Sequence, residues 1–266
     1  MSDFLKICAI AFDTGWKYPE ENIAKTEQCV KEAKRLFPET QVILFPELSY
    51  MGSIVDEDAH RLAESREGRC VTETLRMAQT YDTHIIAGFI ESNQGKKPYN
   101  TMFVANKSGK PTVFYRKNHL YAGSQECELY EAGAELAPFD LEGWKCGLSC
   151  CFDVRFPRLY EAYRRAGTEL IFMGFNWFAG RNKPAIMDFM LKARAHENQF
   201  FIAATDRSGS DPSGPFTKQG IIVNPYGENV ATTTNDIYSY AEIKKEDMRT
   251  LRKKLPLEPS FKGSYS

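Results

Sequence analysis

Apolar positions in this chain fall into short runs separated by stretches with helical spacing. Lys6–Phe12 (KICAIAF) alternates in the manner of a strand. Behind Pro19, the positions Ile23, Cys29, Val30, Ala33 and Leu36, with Thr26 beside them, recur at helical intervals and predict a helix over Glu20–Phe37. Val42–Phe45 is a continuous apolar run of strand length stopped by Pro46, Thr72–Tyr81 reads as helix, and Ile85–Phe89 as strand. Asn100–Ala105 and Thr112–Tyr115 flank Lys107-Ser108-Gly109-Lys110, a hairpin signature. The second half alternates likewise, with strand over Cys146–Cys150, helix over Pro157–Ala166, strand over Glu169–Met173, helix over Pro184–Asn198 and strand over Phe200–Ala204. Ile221–Val223 and Val230–Thr232 flank Pro225-Tyr226-Gly227 as a second predicted hairpin, and Lys244–Lys254 is a charged helix. Strands alternating with helices, with hairpins inserted, predict an α/β layered fold with mixed sheets. No repeat, low-complexity tract or Pro/Gly/Ser-rich linker divides the pattern, so residues 1–266 read as one domain.

Composition narrows the function classes. With 34 Lys and Arg against 35 Asp and Glu the net charge is −1, which removes the usual electrostatic argument for nucleic acid or an acidic membrane as partner. The basic segment Lys244–Lys254 then reads as a solvated helix face. No stretch reaches the roughly 18 apolar residues of a membrane span. Met1–Phe12 carries a short apolar run broken by Lys6, with neither a basic leader nor a small-residue cleavage pattern. The seven cysteines are scattered and form no CxxC pair, and adjacent Cys150 and Cys151 are poorly placed for a structural bridge. The expectation is free thiols in a reducing cytoplasm, with no metal and no cofactor.

Three polar residues sit at the ends of apolar strands, where α/β folds expose reactive side chains. Glu47 follows Val42–Pro46, Lys117 follows Val113–Arg116, and Cys151 follows Cys146–Cys150 and precedes the helix start at Pro157. A thiol at a strand-to-helix turn lies near backbone N–H donors, a carboxylate can take its proton, and an ammonium can stabilise the resulting negative charge. Each has a plainer reading as a core thiol, a cap or a solvated charge. Physics permits the constellation without selecting it.

The strings themselves carry more. Leu44-Phe45-Pro46-Glu47-Leu48, Tyr115-Arg116-Lys117-Asn118-His119-Leu120 and Cys151-Phe152-Asp153-Val154-Arg155-Phe156-Pro157 resemble, in order, the F-P-E, Y-R-K-x-H-L and C-aromatic-D-x-R-F-P segments of the nitrilase, or carbon–nitrogen hydrolase, superfamily. Ala193–Asn198 is similar to its A-R-A-x-E-N helix and Val223–Glu228 to its late V-x-P-x-G-E turn, so the likeness runs from Lys6 to about Pro256. The resemblance implies a four-layer α-β-β-α sandwich with two mixed sheets and a Glu-Lys-Cys triad on Glu47, Lys117 and Cys151, leaving Cys150 as a core thiol. It also implies a fourth acidic residue seven positions before a glycine; counting back from Gly133 gives Glu126, with Glu128 and Glu131 as alternatives. The implied chemistry is hydrolysis of a small linear amide to acid and ammonia through a Cys151 thioester. Lys117 and the backbone N–H of Phe152 hold the oxyanion, Glu126 orients Lys117 or the substrate amine, and no metal or organic cofactor is required.

Asp153 in place of a glutamate separates the chain from the nitrilase pattern C-W-E, and Asp-x-Arg-Phe-Pro is similar to the branch of omega-amidase and deaminated-glutathione amidase. Asn176-Trp177 resembles an N-W segment of these amidases and is a candidate pocket lining. Three departures fall where pocket loops are expected: Trp177-Phe178-Ala179-Gly180-Arg181 in place of N-W-P, Asp206-Arg207-Ser208-Gly209 in place of N-R-x-G, and Tyr121 where Phe is common. Arg155 reads either as a structural partner of Asp153 or another carboxylate, or as a bidentate binder of a substrate carboxylate. For Trp177, Phe175 and Phe178 core packing is the alternative to a pocket wall, and His119 and His196 read as structural. Hydrolysis of N-carbamoyl compounds or nitriles with the same triad, or a silent binding role, are the competing functions. A homodimer across Pro157–Arg165 and Pro184–Asn198 is expected.

Overall fold

The computed structural model describes residues 2–257; residue 1 and residues 258–266 of the expected domain lie outside it. The strands are β1 (Phe4–Ile10), β2 (Val42–Leu44), β3 (His84–Asn93), β4 (Lys96–Ala105), β5 (Pro111–Arg116), β6 (Pro138–Leu141), β7 (Trp144–Cys150), β8 (Leu170–Phe175), β9 (Phe201–Asp206), the short ribbon β10 (Ser210–Asp211) and β11 (Gly214–Pro215), then β12 (Gly220–Val223), β13 (Thr232–Thr234) and β14 (Tyr238–Lys244). The helices are α1 (Pro19–Leu36), α2 (Asp58–Arg61), α3 (Arg69–Thr80), α4 (Glu126–Leu129), α5 (Pro157–Arg165), α6 (Lys183–Asn198) and α7 (Lys245–Lys254).

Two mixed sheets result, one ordered β13-β14-β1-β2-β3-β4-β5 and the other β12-β9-β8-β7-β6. β1, β2 and β3 run parallel, as do β7, β8 and β9, so each sheet carries a parallel centre with antiparallel margins. The sheets meet face to face, β1 against β9 and β12, and β2 and β3 against β8. Residue alternation explains the layering. Ile7, Ala9, Val42 and Leu44 face the second sheet, while Cys8, Ile10 and Ile43 face outward onto Val30 and Ala33 of α1 and Val71 and Met77 of α3. Strands covered on both faces read as unbroken apolar runs, which is the pattern of Val42–Phe45. On the far side Tyr160 and Tyr163 of α5 and Met187 and Leu191 of α6 complete the core of the second sheet. The fold is the four-layer α-β-β-α sandwich.

Helix ends follow their sequences. α1 starts with Pro19, carries Glu20 and Glu21 in its first turn and Lys34 and Arg35 in its last, complementing the helix dipole at both ends. The second predicted hairpin is corrected. Val223 and Asn229 form only an isolated bridge, and β13 pairs with β14 in the other sheet. The turn itself closes, with the Asn224 N–H on Glu228 O at 2.9 Å and the Val230 N–H on Ile222 O at 2.8 Å, while Asn229 Oδ1 accepts the Ile222 N–H at 3.2 Å. The chain then leaves for the larger sheet. β3 and β4 are longer than their apolar runs and join at Gln94-Gly95, both at positive φ (44° and 81°), the conformation of a tight hairpin turn. No helix of the described residues is long and apolar enough to cross a membrane.

Candidate active site

Strand ends from both sheets deliver their following residues to one place. Glu47 comes from the turn after β2, Lys117 directly follows β5, Cys151 follows β7 and Asn176 follows β8. Cys151 opens the 3-10 turn Cys151–Arg155 at φ +43°, and Leu48, next to Glu47, has φ +47°. Such conformations cost residues with side chains on the order of 1–3 kcal/mol and persist where the surroundings over-determine them. Two glycines permit the approach. A Cβ on Gly174 of β8 would sit 2.5 Å from the Glu47 amide nitrogen, and one on Gly88 of β3 2.5 Å from that of Leu48.

At the centre Lys117 Nζ donates to Glu47 Oε1 at 2.9 Å and to Glu126 Oε1 and Oε2 at 2.7 and 2.9 Å. Asn100 Nδ2 bridges the same carboxylates, at 2.7 Å to Glu47 and 3.1 Å to Glu126. Glu47 Oε2 accepts the Asn176 N–H at 2.8 Å, and Glu126 Oε2 accepts the Tyr121 N–H at 2.6 Å. Cys151 and Glu47 border the same cavity, and the neighbouring thiol is among the groups that hold the Glu47 carboxyl low. The Cys150 thiol donates to the Glu47 carboxylate, its Sγ lying 3.4 Å from Oε1, so this core thiol touches the site.

Burial alone would raise Glu47, but the Lys117 charge and the hydrogen bonds from Lys117 and Asn100 outweigh it and hold the carboxyl below its ordinary 4.5. Burial would lower Lys117; Glu126 and Glu47 reverse that and raise it well above the usual ammonium value. For Cys151 burial and then the Glu47 charge both act against the thiolate, and its value rises well above 9.0 despite Lys117 and the Asn176 N–H. The resting site therefore holds the Lys117 ammonium, an ionised Glu47 and a protonated Cys151 thiol. A thiol in this state reacts only as its proton passes to a neighbouring base, and the ionised Glu47 borders the same cavity.

These groups line a cavity of about 310 Å³. The candidate catalytic, oxyanion and lining residues Glu47, Lys117, Glu126, Cys151, Phe152, Asn176 and Trp177 all border it. Glu128 and Glu131 are exposed and lie outside the network. The Phe152 amide is in the first turn of the 3-10 segment, where leading N–H groups lack an intrahelical acceptor. Trp177 and Phe178 are wall residues, whereas Phe175 is fully buried core. The structural reading of Arg155 is overturned. Asp153 is taken up by the Tyr115 hydroxyl (2.6 Å), the His119 ring (2.7 Å) and the Cys150 N–H (3.0 Å). Arg155 instead lies exposed over the Trp177 ring at 5.0 Å, with Lys183 over the same ring at 5.2 Å, and both border the cavity. His119 stacks on Phe156, and the His196 ring hydrogen-bonds Pro225 O at 2.9 Å, so both serve the scaffold. Sequence reasoning does not single out Asn100; the signal for it is a lone amide at the head of the apolar run Asn100–Ala105. Among the described residues no group of three or more His, Cys, Asp or Glu is arranged to hold a metal ion.

Residues 8–253 match the family model for carbon-nitrogen hydrolase. The chain belongs to this family. Relatives of this carbon–nitrogen hydrolase include the 2-oxoglutaramate amidase of Bacillus subtilis, 31% identical over 254 residues that cover 94% of this chain and 95% of that protein. The omega-amidase NIT2 of Bos taurus is 28% identical, covering 89% of this chain and 88% of its own. In three dimensions the hydrolase is similar to Nit3 of Saccharomyces cerevisiae, a member of branch 10 of the nitrilase superfamily, with a TM-score of 0.88 at 22% identity over 97% of this chain and 96% of the other.

Proposed function

We propose that this carbon–nitrogen hydrolase is an amidase for small linear amides that carry a carboxylate at the end opposite the amide. The observation that carries the reading is the polarity of the cavity: a buried, proton-transferring floor of Glu47, Glu126, Lys117 and Cys151, and a more exposed, cationic border of Arg155 and Lys183. The names of the two amidase relatives agree with it. In the proposed reaction Cys151 Sγ adds to the amide carbonyl carbon while Glu47 takes the thiol proton. Lys117 and the Phe152 N–H receive the oxyanion. Collapse breaks the C–N bond, Glu47 returns the proton to nitrogen, and ammonia leaves a Cys151 thioester. Water attacks the thioester, its proton goes to Glu47, and Glu47 passes it on to the departing thiolate as the carboxylic acid is released. Glu126 and Asn100 hold Lys117 and Glu47 in register throughout. Intact Glu47, Lys117 and Cys151 on one cavity, with Lys117 hydrogen-bonded to Glu47, speak against a silent binding role.

Ammonia release across neutral amides, omega-amides of dicarboxylic acids, carbamoyl amino acids and nitriles tests the reading. The expected result is preference for carboxylate-bearing amides. Arg155→Ala is expected to raise KM for these by about tenfold or more, the scale of one lost charge-assisted hydrogen bond, with little effect on an uncharged amide. Release mainly from carbamoyl compounds or nitriles would reassign the substrate.

We also propose a homodimer across α5 and α6, which lie side by side; α6 leaves Ile186 and Phe189 exposed at 37% and 71%. Light scattering tests it, and a stable, active monomer would contradict it. The seven unpaired thiols fit a reducing, cytoplasmic setting.

A further inference from the structure

The segment that closes the cavity beyond β8 is held by a carboxylate that the proposed reaction does not use. Asp206 ends β9 opposite Phe175 of β8 and is fully buried. Its Oδ1 accepts the Trp177 N–H at 2.7 Å, and its Oδ2 accepts the Thr217 N–H at 2.8 Å and the Thr217 hydroxyl at 2.6 Å. The preceding amide, Asn176 N–H, donates to Glu47 Oε2 at 2.8 Å. Two consecutive N–H groups are therefore clamped by two buried carboxylates, one inside the cavity and one behind its wall. The donor set suits a carboxylate and no amide: an Asn here would turn an NH2 group against either the Trp177 or the Thr217 donors. This is also one of the positions where the chain departs from the Asn of the N-R-x-G pattern.

We propose that Asp206 is a positioning residue for hydrolysis: its carboxylate fixes Asn176–Trp177 and thereby aims Glu47 at Cys151 and sets the Trp177 wall. The inference rests on the amidase reading for its kinetic consequence only. The charged groups around Asp206 do not neutralise it. Arg207, the next residue, turns its guanidinium to Asp211 at 2.8 Å and to Thr14 O, with Asp13 close behind. Lys183 lies across the Trp177 ring, and Glu47 lies beyond Asn176. Burial consequently dominates and pushes the Asp206 carboxyl up to about 7, with the Thr217, Trp177 and Arg207 donors opposing it. Above that value the carboxylate holds all its donors; below it, a proton on Oδ2 competes with the Thr217 hydroxyl and loosens the clamp. Glu47, held low, and Lys117 and Cys151, held high, titrate elsewhere.

The test compares wild type, Asp206→Asn and Thr217→Val in two readouts between about pH 5 and 9. The first is kcat on the best amide of the panel. The second is Trp177 emission, taken as the difference from a Trp177→Phe variant, which needs no substrate. Wild type is expected to gain kcat with a midpoint near 7, with an emission change at the same midpoint. Asp206→Asn is expected to lose both transitions and to have kcat lowered about tenfold at high pH, the scale of one lost charge-assisted hydrogen bond. Thr217→Val, which removes a bond favouring the charged form, is expected to move both midpoints upward. Transitions that persist unchanged in Asp206→Asn, or, should that variant not fold, midpoints unmoved in Thr217→Val, would overturn the proposal. Emission changes that follow Asp206 in a protein that turns over no amide would uphold the clamp and count against the amidase reading alone.

Discussion

Replacing Lys117 with methionine keeps most of the side-chain volume and removes the one cation from a buried triangle. Lys117, Glu47 and Glu126 are 2%, 2% and 6% exposed, and Lys117 Nζ lies within 2.9 Å of both carboxylates. The variant leaves two carboxylates facing each other without a counter-charge. Removing one partner of a buried ion pair costs about 3–5 kcal/mol, because the survivors keep their desolvation penalty. At about 2–4 °C per kcal/mol for a chain of this size, the expected loss of Tm near pH 8 is roughly 6–20 °C. The pH dependence is the sharper signature. In wild type the depressed Glu47 contributes stability that is fully present above its ordinary 4.5 and is lost as pH falls through the lower folded value. Without the Lys117 charge and hydrogen bond, burial raises Glu47 instead, so the folded variant keeps a proton that the unfolded chain has released, and its stability falls as pH rises. Calorimetry at fixed ionic strength should show the two Tm curves diverging from about pH 5 to 8. A variant within about 2 °C of wild type at pH 8, or an equal loss at both ends, would refute the buried triangle.

Other outcomes follow from the same geometry. Cys151→Ala is expected to abolish turnover with the fold intact, whereas Cys150→Ala should remain active and lose about 1–2 kcal/mol of packing; the reverse pattern in activity assays would exchange their roles. Gly174→Ala is expected to lower kcat on the order of a hundredfold by forcing the Glu47 backbone out of place, and unchanged kcat would mean the strand yields without moving the base. Alkylation of Cys151 by iodoacetamide, followed by peptide mass, should keep accelerating above the ordinary thiol range of about 8.5, and a plateau near neutrality would contradict the raised thiol value.

Much of this molecule is legible in its residues, and the gaps have physical causes. Val42–Phe45 and Glu169–Met173 read as strands because the segments they mark are covered on both faces, the second running on to Phe175 in the fold. Tyr238–Lys244 escapes notice because only part of it is buried and its apolar signal is weak, although it forms the full ladder with β1. The false hairpin at Val230–Thr232 arises because a turn signal says nothing about which sheet accepts the outgoing strand. At the site, residue spacing proposes Glu47, Lys117 and Cys151 only as three strand ends, since their convergence comes from two sheets packing face to face. Glu126 is reachable only by counting from Gly133, whose own constraint is visible in the fold: a Cβ there would collide with the Arg116 carbonyl oxygen. Asn100 and the roles of Arg155 and Asp206 depend on partners far away in sequence, and no local pattern encodes them.

Formation of a Cys151 thioester, with Glu47 as the proton carrier, is the step on which the proposed chemistry stands or falls. Rapid-quench intact mass of the enzyme turning over a carboxylate-bearing amide, with the acylated peptide mapped, observes that step itself. A transient acyl adduct is expected on the peptide containing Cys151, and both the adduct and ammonia release should be absent in Cys151→Ala. Ammonia release that survives in Cys151→Ala, or an adduct carried by Cys150, would rule the Cys151 thioester out.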